Sequence, residues 1–175
     1  MRKQRVKNLA KFDRPQGLGL ASASQSHGVQ AAKEYAFLLL KFRLRSELEL
    51  KARLKQKGFS QEIAQEAIDF LKDKEFIDDR IFARGWVSTR LKRPFGLRKI
   101  KQELVQKGVD KEIIEDSLAC AKESYDENQI VSQLAQKRFS RIKGVDTIKA
   151  KARVYAYLIR RGFASDTVAA IVKKL

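Results

Sequence analysis

The sequence predicts an all-α protein: a tandem array of three three-helix modules, nine helices in all, elongated and curved, with a flexible basic N-terminal arm. The main observation is a short helical segment that ends in a glycine and recurs three times, at Gly58, Gly108 and Gly162. These glycines are 50 and then 54 residues apart, which is the long spacing typical of repeat proteins. No segment sustains the two-residue alternation of a strand, and only two prolines interrupt the 175 residues.

Residues 1–30 predict a disordered basic arm. They carry six basic side chains and one acid, together with three glycines and a serine-rich segment, and no apolar stripe persists. Such an arm could follow phosphates as a flexible tether, or it could be a solvated tail. Its His27 is the only histidine of the chain, so the sequence argues strongly against catalysis by histidine.

The first module covers residues 32–75 and shows the repeated unit most clearly. Apolar residues at helical spacing predict a first helix over residues 32–45. Ser46 followed three residues later by Glu49 is a capping box, in which the serine side chain satisfies a free N–H group at the helix start. The second helix should therefore begin directly after Ser46.

This second helix carries one apolar stripe and ends at a glycine. Leu50 and Leu54 lie four residues apart, so they share one face of the helix. Gly58 can adopt the left-handed conformation that ends a helix without a steric cost. Phe59 is then expected to pack over that end, and Ser60 to cap the third helix.

The second module covers residues 77–124. Asp78 and Asp79 are expected to cap its first helix. Phe82 and Trp86 lie four residues apart on that helix, which favours packing in the core over stacking on nucleic-acid bases.

The glycine corner returns in the second module and again in the third, which covers residues 126–175. A leucine lies four residues before Gly108 and before Gly162, as one does before Gly58. These two leucines are Leu104 and Leu158. The residues predicted to cap the remaining helices are Asp110, Asp126, Asp146 and Ser165.

Charge and cysteine content limit the classes of function. The net charge of +17 favours a polyanionic partner, either nucleic acid or an acidic protein surface. The single cysteine, Cys120, excludes an internal disulfide and fits a reducing compartment, and we expect it to be a small packing residue. The longest apolar run is too short to span a bilayer, so the sequence predicts a cytoplasmic protein without membrane contact.

Several of these residues form a distinctive set. They include residues 77–83, Ile-Asp-Asp-Arg-Ile-Phe-Ala, and the Glu-Leu to Lys-Gly segments that end at Gly58 and Gly108. Over roughly residues 32–175 the chain resembles the RecX regulatory proteins of bacteria, although Val154 and Tyr155 replace the Glu-Leu pair in the third module. The matching residues most simply define the fold of the module. They are Ser46, Glu49, Leu50, Leu54, Gly58, Asp78, Asp79, Phe82, Ala83, Leu104, Gly108, Leu158 and Gly162.

The resemblance implies a protein that binds the RecA recombinase, chiefly as its nucleoprotein filament. It implies inhibition of the ATPase, strand-exchange and co-protease activities of RecA, and so regulation of DNA repair and the SOS response. We expect a monomer that contacts single- or double-stranded DNA secondarily and uses no cofactor, metal or catalytic residue. The expected binding face consists of basic side chains of the second and third modules. They are Arg84, Arg90, Lys92, Arg93, Arg98, Lys99, Lys101, Lys137, Arg138, Arg141, Arg160 and Arg161.

The sequence bears on two other classes of function. An enzyme would need a nucleophile–base pair, a cleft with paired carboxylates or a phosphate-binding glycine loop, and the sequence contains no recognisable one. A general nucleic-acid-binding helical repeat protein, or a helix-turn-helix DNA binder, is the alternative, because the glycine corners resemble helix-turn-helix joints. The helices over residues 61–72 and 111–122 carry mostly acids on their polar faces, which argues against a helix-turn-helix DNA binder.

Overall fold

The computed structural model describes residues 21–123 and 125–175, with side chains from residue 27 onward. Within these ranges the chain forms nine α-helices and no strand, as the sequence predicts. The helices are α1 (Ala21–Phe42), α2 (Glu47–Lys57), α3 (Gln61–Asp73), α4 (Asp79–Leu91), α5 (Leu97–Gln106), α6 (Lys111–Lys122), α7 (Glu127–Phe139), α8 (Thr147–Arg160) and α9 (Ser165–Lys173). None of them is long and apolar enough to cross a membrane.

Each consecutive group of three helices encloses its own small core. The most extensive helix–helix contacts all fall within these groups, which are module 1 (α1–α3), module 2 (α4–α6) and module 3 (α7–α9). The middle helix of modules 1 and 2, and the equivalent α8, contribute fully buried residues to each core. These residues are Leu50 and Leu54, Ile100 and Leu104, and Val154 and Leu158. The predicted tandem array of three-helix modules is confirmed.

The three glycine corners are built alike. Gly58, Gly108 and Gly162 have φ angles of 103°, 73° and 84°, the left-handed region that favours glycine. The amide of the residue after each glycine donates to the carbonyl of the leucine that lies four residues before that glycine, at 3.2, 3.2 and 3.4 Å. This is the hydrogen bonding of a glycine-terminated helix, so the predicted corners are confirmed.

Most of the predicted helix caps are also present. The Ser46 hydroxyl accepts a hydrogen bond from the Glu49 amide at 3.2 Å. The same kind of bond is made by Ser60, Asp78, Asp110, Asp126 and Asp146. The prediction for Ser165 is wrong, because Ser165 is the first residue of α9 and Ala164 precedes it. The Ala164 amide instead donates to the Glu127 carboxylate at 3.1 Å, so α7 satisfies the start of α9 from outside the helix.

Helix α1 starts earlier than the sequence suggested. The predicted arm runs to residue 30, whereas the helix begins at Ala21. Val29, Ala32 and Ala36 are buried on one face of it, so the apolar stripe reaches back beyond the expected boundary. Packing on this face stabilises a helix where local composition alone predicts none. Residues 1–20 of the predicted arm lie outside the described residues.

Cys120 does not pack in the core. It is exposed, and the prediction of a packing role is wrong. The buried residues of α6 are Ile114, Ser117 and Leu118, whose spacing of three and four defines the inner face. Cys120 falls outside that face.

Candidate binding surface and module joints

Modules 1 and 2 meet at a contact that we call the first joint. There the glycine corner of module 2, at Gly108, packs against the start of α2. Ser46 is fully buried, and its hydroxyl donates to the carbonyl of Lys107 at 2.7 Å. The Lys107 ammonium reaches the Glu49 carboxylate at 2.6 Å. Leu48 lies so close to Gly108 that any side chain there would overlap it. The corner glycine therefore serves this close approach as well as the end of its own helix.

Asp79 also belongs to this joint. It was expected to cap its own helix, but Asp78 makes the cap of α4. The half-buried Asp79 carboxylate instead accepts a hydrogen bond from the Glu47 amide, at 2.9 Å, at the start of α2. Burial raises the pKa of Asp79 because the charged form loses hydration. Asp78 thus caps α4 in its own module, and Asp79 accepts a hydrogen bond from the start of α2 in the module before it.

The second joint, the contact between modules 2 and 3, repeats this arrangement. The Gly96 amide donates to the carbonyl of Arg161 at 2.9 Å, and the Arg161 guanidinium donates to the carbonyl of Pro94 at 3.0 Å. Gly162 lies directly against the backbone of Lys99. In both joints the carbonyl before the corner glycine accepts a hydrogen bond from the N-cap residue of the preceding module's short helix. The chain therefore repeats its joints as well as its modules.

A row of alternating cations and aromatic rings crosses the second joint and ends at the first. Neighbouring members lie 4.1 to 5.4 Å apart, measured from the cation to the ring centroid. Each distance is within the range of a cation–π attraction. This cation–aromatic row consists of Arg138, Tyr157, Arg161, Phe95, Arg90, Trp86 and Lys107.

Glu103 holds the middle of the cation–aromatic row. Its carboxylate accepts a hydrogen bond from the Trp86 indole N–H at 2.9 Å and lies 2.7 Å from Nε of Arg90. Phe82, four residues before Trp86, is buried, as expected for a core aromatic pair. The Arg90 side chain is only 24% exposed, so its guanidinium is committed to the protein's own structure.

The other cations of the predicted face fall into three groups. Lys99 is half-buried in the second joint, and Lys101 is paired with Glu115 inside module 2. Arg93, Arg98 and Arg160 are exposed and directly adjoin residues of the second joint. The remaining exposed members are Arg84, Lys92, Lys137 and Arg141, and Arg138 is the exposed end of the cation–aromatic row. The structure therefore gathers part of the predicted set around the second joint, and its role in binding stays a prediction.

Lys107 is the residue of this region that sequence reasoning missed. The signal was present, because a basic residue precedes the corner glycine in all three modules: Lys57, Lys107 and Arg161. Each of these cations lies over an aromatic ring, at 5.5 Å from Tyr35, 4.1 Å from Trp86 and 5.0 Å from Tyr157. The repeated pair of a basic residue and a glycine thus marks a stacking cation.

Glu49 is the charged centre of the first joint. Its carboxylate accepts hydrogen bonds from the Arg43 guanidinium at 2.9 and 3.2 Å and from the Lys107 ammonium at 2.6 Å. Burial acts to raise the pKa of Glu49, but the hydrogen bonds and positive charges of Arg43 and Lys107 outweigh it and lower the pKa to about 2. The ionised form of Glu49 is therefore strongly favoured in the folded protein.

Acid is expected to weaken the first joint through Glu49. Because its pKa is lower in the folded state, its contribution is fully present above its ordinary pKa of about 4.5 and is lost as the pH falls toward about 2. In Glu49→Gln this contribution is absent. The difference between the two free energies of unfolding should shrink by about 1 to 2 kcal/mol from pH 7 to pH 3, after allowance for solvent screening.

Urea unfolding at both pH values measures this difference. Comparing the two proteins at each pH removes the titration of Asp79, whose raised pKa acts in the opposite direction. Glu66→Gln, at an exposed position of α3, is the control and should differ from the unsubstituted protein equally at both pH values. A constant difference for Glu49→Gln as well would contradict the assignment.

No group of three or more histidine, cysteine, aspartate or glutamate side chains within the described ranges is placed to hold a metal ion. The described part of the chain presents basic side chains along a surface that crosses the joints between modules.

Each of the three modules matches a family model of its own. Three family models match in order: RecX, first three-helix domain, over residues 32–71; RecX, second three-helix domain, over residues 78–118; and RecX, third three-helix domain, over residues 125–172. Together they cover well over half of the chain.

Curated relatives and solved structures agree with these matches. The chain is 35% identical over 145 residues to Regulatory protein RecX of Clostridium botulinum (strain Alaska E43 / Type E3), covering 81% of this chain and 67% of the relative. It is 31% identical to Regulatory protein RecX of Chlorobium limicola, covering 85% and 92%. The crystal structure of RecX from Lactobacillus salivarius matches with a TM-score of 0.70 at 24% identity, covering 86% of this chain and 97% of that one. A second crystal structure, of regulatory protein RecX, matches with a TM-score of 0.77 at 23% identity, covering 95% and 83%, so both support the fold.

Proposed function

Because this chain belongs to the RecX family of regulatory proteins, we propose that it binds the RecA recombinase and inhibits it. The proposed target is chiefly the RecA filament on DNA, and the activities inhibited are ATP hydrolysis, strand exchange and co-protease activity. Regulation of DNA repair and of the SOS response would follow. The observation that carries the proposal is the match of all three modules, in order, to the three domains of the family.

The two joints support a mechanism in which several weak contacts act together. Each joint is fixed by hydrogen bonds to backbone groups and by a corner glycine that allows close approach, so the spacing between modules is defined. Contacts on a rigid array act at a high effective concentration, and modest individual affinities then multiply. A repeating filament offers equivalent surfaces to successive modules.

The exposed cations around the second joint are the proposed contacts to phosphates or to acidic protein patches. Arg93, Arg98 and Arg160 are exposed, and each directly precedes a residue of that joint in the chain. DNA would be a secondary contact in this proposal, because phosphates attract such a surface without regard to sequence. The protein would act as a monomer in the cytoplasm.

The proposal is tested by the rate of ATP hydrolysis by RecA on single-stranded DNA. Adding this protein at ratios near or below one per RecA should slow hydrolysis, whereas an unchanged rate would refute the proposal. The control is an unrelated ATPase that depends on single-stranded DNA. Equal inhibition of both enzymes would mean that the protein only masks DNA, which favours the alternative of a general nucleic-acid-binding repeat protein.

A further inference from the structure

A groove between modules 1 and 2 differs in charge from the protein as a whole. It has a volume of about 700 Å³ and contains five carboxylates against two cations. The carboxylates belong to Glu47, Glu75, Asp78, Asp79 and Asp110. In a chain with a net charge of +17, this is a local region of the opposite sign.

The two cations of the groove do not neutralise it. Lys72 is paired with Glu47 at 2.9 Å, and Arg80 is directed to Asp116 at 3.5 Å, outside the groove lining. Asp78 and Asp110 accept hydrogen bonds from backbone amides, and neither forms an ion pair with a basic side chain of the described residues. The groove therefore favours a positively charged occupant.

The groove is also partly apolar. Ile77, Ile81 and Ile113 line it, and the Ile81 side chain is 56% exposed. Phe76, next to Ile77 in the chain, is 52% exposed and meets Phe37 edge to face with ring centroids 4.8 Å apart. Exposed large apolar side chains beside a groove are typical of a protein-binding surface.

We propose that this groove binds a segment of a protein partner that carries lysine or arginine beside apolar residues. The carboxylates of the groove attract a basic side chain, and its isoleucines favour apolar side chains next to that charge. Nucleic acid would be repelled by the same carboxylates. Resting on the proposed function, the segment belongs to a RecA subunit of the filament. The groove then contacts the protein part of the filament, and the cations of modules 2 and 3 contact its phosphates.

The experiment compares two doubly substituted proteins with the same change of charge. Glu75→Lys with Ile81→Lys alters the groove at two exposed side chains that take no part in the caps or joints described above. The matched control, Glu66→Lys with Ile148→Lys, places the same changes at exposed positions outside the groove. Circular dichroism and thermal unfolding should be alike for both proteins, since all four positions are on the surface.

Binding to RecA filaments and to bare single-stranded DNA is then measured for both proteins at one salt concentration. The groove variant should bind filaments about tenfold more weakly than the control, with equal affinity of the two for bare DNA. Carbodiimide, which joins carboxylates to lysines in contact, should link Glu75 of the unsubstituted protein to a RecA lysine. Equal filament affinity of the two variants would overturn the groove proposal while inhibition of RecA by the unsubstituted protein still stood. An equal loss on bare DNA would also overturn it, and no filament binding by the unsubstituted protein would remove both proposals.

Discussion

Gly162→Ala is expected to lower the free energy of unfolding by about 3 kcal/mol. Gly162 has a φ of 84°, where a residue with a side chain is less stable by about 1 to 2 kcal/mol. Its added methyl group would also overlap the backbone of Lys99 across the second joint, and overpacking of this kind costs about 1 to 3 kcal/mol. Backbone atoms of a helix cannot rotate away as a flexible side chain can. Urea or thermal unfolding measures the loss.

Two other glycines separate the backbone and packing parts of this effect. Gly58 has a φ of 103° but open space around it, so Gly58→Ala should cost only the backbone part, about 1 to 2 kcal/mol. Gly96 has an ordinary φ of −74°, but a methyl group there would overlap the carbonyl of Gly162, so Gly96→Ala should show the packing part alone. Equal costs at Gly58 and Gly162 would show that the second joint is not packed as described.

Reversing the charges around the second joint should give the largest loss of binding. With Arg93, Arg98 and Arg160 all changed to Glu, filament affinity is expected to fall by more than about tenfold at moderate salt. If all three contact phosphates, the slope of log affinity against log salt should decrease in magnitude by about 2, at roughly 0.7 per contact to a single strand. Titration of labelled filaments at several salt concentrations measures both quantities.

A matched charge change elsewhere serves as the control for this prediction. Lys41, Lys55 and Lys174 are exposed and lie away from the second joint in the chain, so reversing them gives the same net charge. The control should bind filaments more tightly than the joint variant and keep most of the salt dependence. Identical behaviour of the two variants would mean that total charge governs binding, without a defined cationic face.

Local features of the fold could be predicted well from the sequence. The glycine corners and most caps depend on the chemistry of one to four neighbouring residues, such as Gly58 or the pair Ser46 and Glu49. The start of α9 could not be predicted in this way, because a carboxylate from α7, Glu127, satisfies its amide. The early start of α1 was missed for a similar reason, since burial of Val29 stabilises a segment with little helical tendency of its own.

The candidate site was harder to predict than the fold. Charge counting identified the cations, but it did not separate Arg90, held by Glu103 and Trp86, from exposed residues such as Arg98. The joints were also out of reach, because they unite residues about sixty positions apart, such as Ser46 with Lys107. Likewise, the acidic groove forms only when Glu75 and Asp110 are brought together between two modules.

The restriction of extensive helix contacts to single modules has a consequence for synthesis on the ribosome. Every helix needed for the core of module 1 lies before residue 74, so that core can close while the rest of the chain is still being translated. The hydrogen bond from the buried Ser46 hydroxyl to the Lys107 carbonyl can form only after Lys107 has left the ribosome. Each new module completes the surface of the one before it, and the array can grow in the direction of translation without long-range rearrangement.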